Sequence, residues 1–167
     1  MSEATKGPAS DADAAPDPAA AERLARATRR VIDRVRRSAA SAQTMEDATR
    51  ALLAVAARLE ADVHPGPYMQ RGLRFDGEFG MPVHPIDFAA FFPYSPLVGP
   101  RNPIAPPIEF TVAGDRLHGR VVFGAAYVGP PGSVRGGVIA AAFDERLGGT
   151  NLIRDAGGMG GTVTVRY

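Results

Sequence analysis

Between residues 129 and 149 the chain reads GPPGSVRGGVIAAAFDERLGG, and this stretch constrains everything around it. A glycine pair, Gly136-Gly137, opens a run from Val138 to Phe143 that holds no polar side chain. Residues 135–149 read as a helix that Gly148-Gly149 can end. A helix that is apolar almost all round belongs in an interior, so the rest of the chain has to cover it. With 167 residues the chain makes one domain with room for an appendage.

The clearest sheet signal comes just before that helix. Ile108, Phe110 and Val112 alternate with Glu109 and Thr111; after Gly114-Asp115, Leu117, Gly119, Val121 and Phe123 alternate with His118 and Arg120. Two period-2 runs around a Gly-Asp turn predict a β-hairpin. Beyond the helix, Thr162, Thr164 and Arg166 alternate with Val163, Val165 and Tyr167, which predicts one more strand. From 64 to 107, Pro or Gly recurs every few residues and excludes long elements. Phe75, Phe79, Phe88, Phe91, Phe92 and Tyr94 concentrate there, so the segment is expected to pack over a core.

The N-terminal third is different in kind. Residues 1–18 are mostly Ala, Pro, Ser and Asp without periodicity and are expected to be disordered. Asp17-Pro18 is a helix start, with Asp as N-cap and Pro at the first helical position. Leu24, Thr28, Val31 and Val35, widened by Ile32, predict a helix over 19–38. Thr44 reads as the next N-cap, and Met45, Ala48, Leu52, Val55 and Leu59 predict a second helix over 45–62. The short SAASAQ loop predicts an antiparallel helical hairpin. The division expected is a tail (1–18), a hairpin extension (19–62) and a main domain (63–167).

Charge narrows the functional classes. There are 19 basic and 18 acidic residues, a net of +1, and nucleic-acid binding needs a larger positive excess. The first helix alone holds seven Arg against two acids over 22–37. That face reads as solvated cover for the hairpin's apolar seam, with contact to an anionic surface or a partner as the other reading. Absence of Cys excludes a disulfide framework, a thiolate metal site and a cysteine nucleophile. No run approaches the apolar length of a membrane helix, and the acidic, Pro-rich start is unlike a signal peptide, so a cytoplasmic protein is expected. His64 and His84 precede prolines and His118 sits on a strand; none has a metal-ligand neighbour at the usual spacing, so no metal site is expected. No phosphate-binding loop, dinucleotide fingerprint or nucleophile elbow is present.

The chemistry lies in residues 135–145. A helix N-terminus leaves backbone N–H groups unpaired and carries partial positive charge. Gly136 and Gly137 place no side chain in the way of a carbonyl approaching those groups. Such a site is an oxyanion hole in principle, with each donor contributing about 3–4 kcal/mol in acyl transfer. Asp144 and Glu145 follow on the same helix, and a carboxylate leaving an apolar helix is expected to have a raised pKa, as a general base requires. Adjacent residues point about 100° apart, so one of the two faces a substrate. The plainer account is a tight loop-to-helix turn, with the acids marking where the helix leaves the core.

The pattern G-P-P-G-x-V-x-G-G-V-x-A-A-x-x-D-E at 129–145, preceded by FFPYSPLVGPRNPIAPP and followed by GGTVTVRY, resembles the PaaI-like hot-dog acyl-CoA thioesterases over residues 88–167. The resemblance implies an α+β hot-dog fold, an antiparallel sheet around a central helix, paired into a homodimer or higher homo-oligomer. It implies hydrolysis of an acyl-CoA thioester to free acid and CoA without a cofactor. Gly136 or Gly137 would bind the thioester oxygen and Asp144 would be the base or nucleophile, acting across the dimer interface. Glu145, Arg135 and Thr162 would contact substrate.

Three departures stand out. Arg135 replaces the usual His before the glycine pair, and Arg cannot deprotonate. Gly160 occupies the position of a common Thr. The family continues past TVRY with further strands, so the chain reads as a fragment truncated after the first strand following the helix. Three strands would leave much of Val138–Phe143 open to water, at roughly 25 cal/mol per Å² of apolar surface. The second reading, which the first two departures favour, is a hot-dog module that binds acyl-CoA or only dimerises.

Overall fold

A computed structural model describes residues 17–64, 68–71, 87–154 and 160–167. The elements are α1 (Pro18–Arg37), α2 (Ala42–Glu60), α3 (Phe88–Phe91), β1 (Glu109–Ala113), β2 (Arg116–Arg120), a 3-10 turn at Ala125–Tyr127 and α4 (Gly136–Ile153). Most of the tail expected to be disordered, together with Phe75, Phe79 and His84, lies outside the described residues. Among the described residues no helix is long and apolar enough to cross a membrane.

α1 begins as its sequence predicts. The Asp17 carboxylate accepts from the amides of Ala19 (3.0 Å) and Ala20 (3.2 Å), and Pro18 needs no acceptor. Its docking face overlaps the expected stripe, with Thr28 and Val31 half-buried, and is shifted toward Ala25 and Arg29. Ala25 is buried and Arg29 and Ile32 are half-buried, whereas Leu24 and Val35 remain exposed. The cause is its partner: α1 packs chiefly on the 3-10 turn. Arg29 donates to the carbonyls of Asn102 (2.8 Å) and Pro100 (3.3 Å), and Arg101 lies 3.7 Å from Glu22. Arg29 supplies donors to these half-buried carbonyls, which orients the helix.

The apolar seam expected between the two helices is not buried on the α2 side. α2 buries no residue, and Met45, Leu52, Val55 and Leu59 are 43–49% exposed. α2 also starts earlier than expected. Ser41, not Thr44, is the N-cap, its hydroxyl accepting from the Thr44 amide at 3.2 Å.

β1 and β2 form the expected hairpin, with Phe110 opposite Gly119 and Val112 opposite Leu117. Gly114 takes φ +62° in the turn, a conformation glycine adopts without strain. The core is Phe88 and Leu117, packed by Phe110, Leu152 and Ile153. Phe88 and Phe110 meet edge to face at 5.3 Å. Burying Phe88 and Leu117 contributes about 1.5–3 kcal/mol each. α4 lies against β2, where Arg146 Nε donates to the Leu117 carbonyl at 3.0 Å.

α4 does not stop at Gly148-Gly149 but runs to Ile153. Gly149 is the point of closest approach: a Cβ there would lie 2.9 Å from both Leu117 Cδ2 and Phe88 Cε1. The glycine is needed for packing, not for termination. The described sheet has two strands, so it lies along α4 without enclosing it. Val138 to Ala142 are half-buried and Phe143 is 45% exposed, against the expectation of a fully covered helix. Residues 160–167 form no strand, because no described strand pairs with them. They are held instead by Tyr167, whose hydroxyl donates to the Gly136 carbonyl at 2.6 Å.

Candidate active site

The turn before α4 aims the chain into the helix. Val128 bridges Val134, the Gly129 amide donates to the Ser133 carbonyl at 2.9 Å, and Gly132 sits at φ +74°. Only glycine takes that last conformation freely, which explains the GPPG element physically. The Arg135 amide then donates to the Tyr127 carbonyl at 2.9 Å and fixes the tip of α4.

At the tip, Arg135 is the N-cap and its exposed side chain makes no capping bond. The amides of Gly136 and Gly137 find no acceptor among the described residues, as the first turn of a helix requires. Their surroundings differ. A Cβ on Gly136 would lie 3.0 Å from the Tyr167 ring, whereas Gly137 has open space around it. The accessible donor is thus at Gly137.

Two turns on, Asp144 and Glu145 diverge. Asp144 is exposed, and its Oδ1 lies 3.5 Å from the place a Cβ on Gly160 would occupy. Glu145 turns inward and accepts from the Ser95 hydroxyl at 2.7 Å. Burial pushes the Glu145 carboxyl above its ordinary value, the Ser95 hydrogen bond opposes that, and the charge of Asp144 adds to it. On this helix the Glu145 carboxyl is raised, and it is tied to Ser95. Thr162 is exposed, and no described contact joins it to either acid.

Ser95 was not singled out from the sequence, although a signal was present. It is the sole Ser or Thr between Arg50 and Phe110 and sits in a Pro-rich apolar loop. It is fully buried, and its oxygen also accepts from the amides of Leu97 (3.1 Å) and Val98 (3.3 Å). Among the described residues no group of three or more His, Asp or Glu side chains could hold a metal ion.

No family model matches the chain. No curated protein matches it either. Among solved structures, it is similar to the crystal structure of a thioesterase superfamily protein. The identity is 28% and the TM-score 0.68, over 88% of this chain and 70% of the other.

Proposed function

We propose that the chain is a hot-dog-type thioester hydrolase that cleaves an acyl-CoA to free acid and CoA. The observation that carries this reading is α4 itself: an open backbone donor at Gly137 and a solvent-facing carboxylate at Asp144, in a chain similar to a thioesterase superfamily protein. The thioester oxygen would lie at the Gly137 amide, where the helix dipole stabilises the charge that develops on it. Asp144 would take a proton from water, or attack the carbonyl carbon directly. Because the acid lies two turns from the tip on one helix, a second copy of the chain would bring its own Asp144 to this tip in a homodimer. Residues 63–167 would form the catalytic unit. Arg135 would meet a CoA phosphate, and Thr162 would line the acyl side.

A second reading is a module that binds acyl-CoA without turnover. Tyr167 favours it, since its ring covers the Gly136 side of the tip. The two are separated by following thiol release from a panel of acyl-CoAs together with calorimetric binding of CoA. Release that Asp144→Ala abolishes supports hydrolysis, and binding without release supports the module.

A further inference from the structure

We propose that the cleft between α1 and the Ala125–Tyr127 turn is a binding site for an organic phosphate, a phosphoryl group carried on a ring-sized body. The cleft has a volume of about 330 Å³ and is lined by Arg26, Arg29, Arg30 and Arg34 against a single carboxylate, Asp33. That volume falls in the range of small-molecule sites. Asp33 is already engaged by Arg37 at 3.5 Å. Among the described residues, Arg26, Arg30 and Arg34 form no ion pair. They recur at four-residue spacing and so share one face of α1.

Arg29 anchors this cluster, its guanidinium held by the carbonyls of Pro100 and Asn102. Burial and the neighbouring Arg26 charge push it below its ordinary value. Like charges gathered against a low-dielectric wall repel one another, and an anion relieves that repulsion. Guanidinium forks match phosphate oxygens in geometry. The opposite wall is apolar, with Pro106, Pro107 and Val122, and suits a flat ring more than a bare ion. This inference does not rest on the hydrolase reading, because it uses no residue of the α4 tip.

The test is calorimetric titration of the full chain with adenosine 3′,5′-bisphosphate, AMP, CoA and inorganic phosphate. The wild type is compared with the Arg30→Ala/Arg34→Ala double variant, whose two side chains are exposed. The bisphosphate is expected to bind the wild type, inorganic phosphate at least tenfold more weakly, and the double variant to lose tenfold or more. A preference for CoA and the bisphosphate over AMP assigns the cleft to the nucleotide end of CoA; equal binding of AMP assigns it to a free nucleotide. Asp144→Asn is expected to bind the bisphosphate like the wild type, whatever the outcome for hydrolysis. Absence of binding, unchanged binding by the double variant, or equal affinity for a single-stranded oligonucleotide per phosphate overturns the proposal.

Discussion

The Ser95 hydroxyl donates to Glu145 Oε1 at 2.7 Å and thereby ties the Pro-rich loop to the helix that carries the candidate site. The same oxygen accepts two loop amides, so one buried atom organises three partners. Ser95→Ala would leave the amides of Leu97 and Val98 without that acceptor. The expected loss is about 1–3 kcal/mol, read as a lower urea midpoint at constant slope. An unchanged midpoint would remove the loop tie from this account.

Glu145 also predicts a pH dependence. Its carboxyl is raised on folding, chiefly by burial, from an ordinary value of 4.5. Above that value an unfolded chain has released the proton while the folded chain still holds it. Stability from this group is full below 4.5 and is lost as pH rises through its higher folded value. Glu145→Gln is expected to flatten that part of the stability profile, measured as urea midpoint against pH. An identical slope in both proteins would contradict the assignment.

The glycines near the end of α4 make a paired prediction. Gly148 has open space around it, so Gly148→Ala is expected to stabilise the helix by up to about 1 kcal/mol. Gly149→Ala gains the same propensity but drives a methyl group into Leu117 and Phe88, and overpacking of that kind costs about 1–3 kcal/mol. The two variants should shift the thermal midpoint in opposite directions. Shifts of the same sign would place the close contact elsewhere.

These glycines also show where sequence reading reaches its limit. The hairpin of β1 and β2 was legible because alternation and a Gly-Asp turn are local signals. So was the start of α1, where Asp17 and Pro18 act within one turn. A Gly-Gly pair read locally as a helix stop, whereas Gly149 answers to Phe88, sixty-one residues away. The orientation of α1 was equally hidden, since the carbonyls that Arg29 meets lie beyond residue 99. Of the site, the glycine-led tip and the acid pair were readable from spacing. Which acid turns inward was not, because Ser95 decides it from another loop.

Position 160 gives a test of site geometry. A side chain there would contact the Asp144 carboxylate, since a Cβ would lie 3.5 Å from Oδ1. Gly160→Thr places a hydroxyl beside that acid. If Asp144 is the base, the variant is expected to raise kcat about tenfold, equivalent to ~1.4 kcal/mol of barrier, with KM little changed. A change confined to KM would instead mean that residue 160 acts on binding.

Tyr167 bears on access to the tip. Tyr167→Ala removes both its ring and the hydrogen bond to the Gly136 carbonyl. Because Tyr167 is largely exposed, the expected stability loss is small, about 0.5–1.5 kcal/mol. The expected functional effect is a lower KM for acyl-CoA, and a higher KM would make the ring part of the binding site.

The most direct test is steady-state thiol release from acyl-CoA by the wild type and by Asp144→Asn, which keeps size and removes the charge. Turnover of at least one acyl-CoA by the wild type is expected, with a loss in kcat of about 10²–10⁴-fold in the variant and KM nearly unchanged. Equal turnover by the two proteins, or tight CoA-ester binding by the wild type with no thiol released, would contradict this expectation.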